Sequence, residues 1–81
     1  MSRNGISHIG RALAIFRAWR SLSQRELAAK AGLDPSSLSL VESGARRLSM
    51  DSLDRVAKAL RASPAEIMQL AAQLASGSWR P

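Results

Sequence analysis

The side chains able to do chemistry in this chain of 81 residues are mainly cationic. Twelve Lys and Arg stand against six Asp and Glu, a formal charge of +6. Ten of the twelve are arginine, the type whose planar fork meets phosphate at two points. On so small a surface this charge creates a positive potential that draws anionic partners. Taken alone, it fits a phosphate-binding surface and a merely solvated basic surface equally. Other chemistries are poorly supplied. Without cysteine there is neither a disulfide frame nor a thiolate metal site, and His8 alone cannot build a histidine site. Six carboxylates and one histidine offer no clustered acid–base pair, nucleophile or metal site where there is little room for a pocket. An enzyme is therefore not expected, nor any cofactor.

The elements that must carry these charges are marked by caps and stops. The length allows one core, because two would each be too small to offset the entropy of ordering them. Lacking disulfides and metal, such a core leans on helix packing or self-association. Ile9, Leu13 and Phe16 recur at helical spacing in a first helix expected over Ile9–Arg20. Ser23-Gln24-Arg25-Glu26 is a capping box that opens a second helix, and Gly32 stops it just after Ala31. Asp34-Pro35 reads as an N-cap followed by proline at the first helical position, and this third helix ends at Ser43-Gly44. Ser49 caps a fourth helix with an apolar stripe of Leu53, Val56, Ala57 and Leu60. Ser63-Pro64-Ala65-Glu66 opens a fifth, which carries Ile67, Leu70, Ala71 and Leu74 to about Ser76.

No strand candidate exists, so the fold class expected is all-α, a compact bundle of five short helices. Residues 1–7 are expected as a flexible N-terminal arm, 8–76 as the domain and 77–81 as a C-terminal tail. The apolar stretches fall well short of the roughly 18–20 residues that span a bilayer, and Met1–His8 is too polar for a signal peptide. A soluble cytoplasmic protein with no membrane partner is expected, the minor alternative being a basic amphipathic helix resting on an anionic membrane.

Between the second and third helices the spacing is diagnostic. Leu27 and Ala28 lie on the inner face, Gly32 makes the turn, and Leu38 and Val41 face inward on the next helix. Ala28 is small enough for the two to pack closely. This is the geometry of a helix-turn-helix, here residues 23–44, whose second helix enters the major groove. An ordinary helical hairpin would share only two of these features.

The run Leu22-Ser23-Gln24-Arg25-Glu26-Leu27-Ala28-Ala29-Lys30-Ala31-Gly32, followed by Glu42-Ser43-Gly44-Ala45-Arg46-Arg47, resembles the Cro/C1-type (XRE) helix-turn-helix family of phage and bacterial regulators from about Ile9 to Leu70. The resemblance implies a lambda-repressor-like fold and sequence-specific binding of double-stranded DNA by a dimeric, nucleoid-associated repressor or controller. Gln24 matches the family glutamine at the start of the second helix, whose side chain and amide typically hold a phosphate, as a helix N-terminus favours. Arg46 and Arg47 match the basic loop that follows the sugar-phosphate backbone. Arg25 and Lys30 are further phosphate candidates, and Arg20 and Arg3 rank below them. Arg17 and Glu42 each lie about 40° from an inward leucine, Leu13 and Leu38, at about 100° per residue, so both border the core. A carboxylate there is costly unless paired, and the family places an Arg–Glu ion pair at these positions.

The outward face of the third helix holds Ser36, Ser39 and Leu40, with Pro35 at its tip. These are the expected base contacts. The family commonly carries Gln, Asn, Arg or Lys here, whereas serine donates to or accepts from nearly any base and Leu40 can meet a thymine methyl group. Two further departures are Leu48, where a proline is common, and Ile15 with Trp19, where polar residues are usual. Either the fifth helix or the tail covers Ile15 and Trp19, or a protein partner docks there; Trp79 in the tail is equally open. The small core and the apolar breadth of the fifth helix point to a homodimer through Leu60, Ile67, Met68, Ala71, Ala72 and Ala75. The rival function is a protein-interaction module that holds its partner through Ile15, Trp19 or Leu40.

Overall fold

The structure is a computed structural model that describes residues 4–77, with side chains from His8 onward; Arg3 and Trp79 lie outside the described residues. Five helices follow one another: α1 (Asn4–Trp19), α2 (Gln24–Ala31), α3 (Pro35–Glu42), α4 (Met50–Ala59) and α5 (Pro64–Ser76). No strand occurs among the described residues, and none of these helices is long and apolar enough to cross a membrane. The first helix differs from expectation at its start. It begins at Asn4, so residues 4–7 of the expected arm are helical. No proline interrupts them, and a helix nucleated by its apolar turns propagates into polar residues at little further cost.

The serine caps form as their sequence dictates. Ser23 Oγ accepts from the Glu26 amide at 3.0 Å and Glu26 Oε1 accepts from the Ser23 amide at 2.8 Å. These bonds, the backbone one foremost, hold the Glu26 carboxyl below the usual carboxylate range. Ser63 and Glu66 form the same reciprocal pair at α5, and Ser49 Oγ accepts from the Ser52 amide at α4. Asp34 behaves differently. Its backbone is extended as an N-cap requires, but its side chain makes no cap bond, because the carboxylate takes the Ser36 hydroxyl instead.

Gly32 ends α2 at φ 72° as expected. By contrast α1 and α4 run into the left-handed residues Ser21 and Arg61, stops that carry no glycine to announce them.

Every helix contributes to one core, whose largest fully buried side chains are Leu13, Leu27, Leu38, Leu60, Ile67 and Val56. In it α1 packs against α5 and α3, while α2 bridges α3 and α4. Ile15 and Leu48, two of the departures from the family pattern, pack against this core. Trp19 does not. It is 55% exposed and sets its ring edge-on to Phe16, with centroids 5.1 Å apart.

The expected dimer residues divide in the same way. Leu60 and Ile67 are fully buried, so their apolar area is already removed from water within one chain and none remains for a second copy, whereas Ala71 keeps a small exposed part. Met68, Ala72 and Ala75 stay exposed on α5.

Candidate nucleic-acid interface

Three local arrangements fix α3 and the groups around it. The first is a close crossing. Gly10 of α1 meets the last turn of α3 so tightly that a Cβ in its place would lie 2.0 Å from the Val41 carbonyl oxygen. The apolar periodicity of the first helix does not point to Gly10. Its one signal in the sequence is energetic, since a glycine inside a helix costs about 1 kcal/mol against alanine and so asks for a packing reason.

The second is a hydrogen-bonded network at the C-terminal end of α3. Arg17 Nε donates to Glu42 Oε2 at 2.8 Å and Nη2 donates to Oε1 at 3.0 Å, a forked pair with side chains only 21% and 7% exposed. The third nitrogen, Nη1, donates to the Leu22 carbonyl at 2.9 Å and so ties the α1–α2 connection to the same site. These bonds to Glu42 push the guanidinium pKa above its already high ordinary value. The expected ion pair is thus formed, and it is larger than expected. Gln24 Nε2 also donates to Glu42 Oε1, at 2.8 Å. One amide hydrogen and the carbonyl oxygen of Gln24 remain for an outside partner, and the bond to Glu42 fixes where they point.

The third arrangement joins the basic loop to α3, since Arg46 Nη1 donates to Ser37 Oγ at 2.9 Å. These contacts tie Gln24 to the C-terminal end of α3 through Glu42 and Arg46 to its first half through Ser37. Arg47, Arg25 and Lys30 are exposed, and Lys30 stands near enough to Glu26 to help lower its pKa. The four expected base contacts, Pro35, Ser36, Ser39 and Leu40, are all exposed along α3. A neutral amide, Gln24, and a cation, Arg46, are therefore each bonded to the helix whose exposed face is weakly polar. That arrangement can hold a phosphate chain on either side while the helix meets base edges.

Arg20, a minor phosphate candidate, also has a structural task. Its Nε donates to the Leu60 carbonyl at 2.7 Å, one of the free carbonyls at the end of α4 where a cation is favoured, and its guanidinium lies over the Phe16 ring. A periodicity argument along the chain cannot see this pairing, because Arg20 and Leu60 stand far apart in sequence.

A family model described as a helix-turn-helix domain matches residues 8–74. Among solved structures, the clp gene regulator ClgR from C. glutamicum is 36% identical with a TM-score of 0.83, covering 85% of this chain and 88% of its own. The restriction-modification controller protein C.AhdI from Aeromonas hydrophila is 35% identical with a TM-score of 0.75, over 76% of this chain and 94% of its own. The controller protein C.Esp1396I is 25% identical with a TM-score of 0.77, over 84% of this chain and 88% of its own. No protein of curated function matches the sequence.

Proposed function

Because the chain belongs to the helix-turn-helix domain family, as its Cro/C1-type residues implied, we propose that it is a DNA-binding transcriptional regulator that inserts α3 into the major groove. The observation that carries the reading is the exposed face of α3 between Gln24 and Arg46, each bonded to a side chain of α3. The solved relatives named as a gene regulator and as controller proteins support the same class. Gln24, Arg46 and Arg47 supply most of the affinity through phosphate, with Arg25 and Lys30 adding general attraction. Ser36, Ser39 and Leu40, together with groove shape, supply the selectivity. The work is done in the cytoplasm on double-stranded DNA.

Paired variants test this. Arg47→Ala should weaken binding to all sequences alike and flatten the salt dependence, by roughly 0.9 log units per log unit of salt for each phosphate no longer neutralised. Leu40→Ala should instead relax preference at one thymine position by about 1 kcal/mol. Fluorescence anisotropy on selected and scrambled duplexes across a salt series reads both. If Leu40→Ala leaves DNA binding and its sequence preference untouched but abolishes association with a protein, the interaction-module function takes its place.

The regulator acts as a homodimer in this proposal. Met68, Ala72 and Ala75 line an apolar cleft of ≈ 210 Å³ together with His8, Ile9 and Ala71, and a second copy packed there would remove this area from water. Two α3 helices about 34 Å apart would then match one turn of DNA. Sedimentation should show dimer at tens of micromolar and a shift to monomer for Met68→Glu. Monomer alone for the unaltered protein, with and without DNA, counts against the dimer.

A further inference from the structure

The tip of α3 offers acceptors where the helix first meets a base edge, and we propose that it selects cytosine in the major groove through the Asp34 carboxylate. The inference rests on the DNA-reading function above and names part of what is read. Of the six acidic residues, Glu42 is held by Arg17, Asp51 and Asp54 face Arg55 and Lys58 one turn on, and Glu26 and Glu66 close capping boxes. Among the described residues Asp34 has neither a cationic partner nor a capping bond, and it is exposed at the N-terminal tip of α3.

Its hydrogen bond to Ser36 changes what that neighbour can do. Ser36 donates its only hydroxyl proton to Asp34 Oδ2, so this serine keeps lone pairs and no donor for an outside partner. Pro35 between them has no N–H to offer. Serine's usual indifference among bases is thereby lost, and the side chains of Asp34 and Ser36 together present acceptors only. In the major groove guanine shows two acceptors, thymine an acceptor and a methyl group, and adenine a donor beside an acceptor. Cytosine shows a donor, N4, with no acceptor beside it on its own edge. Acceptor-only side chains are drawn to cytosine, repelled by guanine and thymine, and set back at adenine by N7. The negative charge sharpens this. Beside phosphates a carboxylate weakens binding to every sequence, and only a base donor offsets that cost, so Asp34 rejects wrong sites as much as it favours the right one.

Selection from a random DNA pool, run with the unaltered protein and with Asp34→Ala, Asp34→Asn and Ser36→Ala, tests the assignment. The unaltered protein should enrich a cytosine at a fixed place in each half-site. Asp34→Ala should lose that preference alone, with discrimination at the position falling about tenfold, while its affinity for unrelated DNA holds or rises. Asp34→Asn, whose amide both donates and accepts, should turn the preference to adenine. Ser36→Ala should keep the cytosine, since the carboxylate remains. Thermal unfolding midpoints close to that of the unaltered protein confirm that these exposed changes leave the fold intact. If the unaltered protein enriches defined sites and Asp34→Ala enriches the same base at every position, the assignment to Asp34 is overturned while DNA reading stands. Enrichment of no sequence by the unaltered protein overturns both.

Discussion

Gly10→Ala is expected to destabilise the fold by about 3 kcal/mol or more, the upper range for forcing a methyl group into a closed site. That is most of what a core of this size supplies. The added Cβ would lie 2.0 Å from the Val41 carbonyl oxygen, 3.0 Å from its carbon and 3.1 Å from the Glu42 Cα. All three are backbone atoms, so no side chain can swing aside. The turn they belong to is fixed by its own bonds, with the Ser43 amide on the Ser39 carbonyl at 3.1 Å and the Gly44 amide on the Val41 carbonyl at 3.0 Å. Relief requires α1 and α3 to separate, and separation draws Arg17 away from Glu42 on the same two helices. An opposing effect exists, because alanine is about 1 kcal/mol better than glycine in a helix interior, but it is the smaller one. Urea unfolding should show a lower midpoint with an unchanged slope. A variant as stable as the parent, or more stable by the propensity difference, would mean that the two helices yield at little cost.

The contrast between Gly10 and the capping residues shows what a single sequence makes legible here. Ser23, Ser49 and Ser63 act on amides three residues away, so their bonds follow from spacing alone, and α2, α4 and α5 begin where those serines place them. The inward faces of α2 and α3 are equally local, and Leu27, Ala28, Leu38 and Val41 are all buried. Gly10 and Arg20 act on backbone carbonyls of helices distant in sequence, and no periodicity reports which carbonyl a crossing brings close. The same limit applies to the dimer residues. The pattern of α5 shows an apolar face, but which part of it the chain's own core takes, Ile67 and Ala71, and which part stays outside, Met68 and Ala72, depends on where α1 lies against it. Asp34 departs from its pattern for a different reason. The N-cap spacing fixes its backbone conformation, while the side chain has a competing partner two residues on in Ser36, a charge-assisted bond stronger than one between neutral groups.

Arg17→Ala is expected to cost about 3–5 kcal/mol, because breaking a buried pair from one side leaves the other charge desolvated without its partner. Glu42, with a side chain only 7% exposed, would keep just the Gln24 amide at 2.8 Å, one neutral donor in place of two charged ones. The Leu22 carbonyl would lose its donor as well, so the effect is not confined to the ion pair. Removing both charges together removes the desolvated carboxylate, so Arg17→Ala combined with Glu42→Ala should destabilise by clearly less than the sum of the two single changes. The coupling expected from a double-mutant cycle is about 0.5–3 kcal/mol, the range for residues in one hydrogen-bonded network. A second readout separates stability from aim. Because Glu42 holds Gln24 at the start of α2 and itself sits on the last turn of α3, loss of the network releases the proposed phosphate group and the groove helix together. At temperatures where the variants remain folded, Arg17→Ala should therefore also weaken DNA binding, although Arg17 itself need not touch the duplex. A cycle with no coupling would remove the ion pair as a stabilising unit. Coupling in stability without any change in DNA affinity would keep the pair but take away its part in aiming α3.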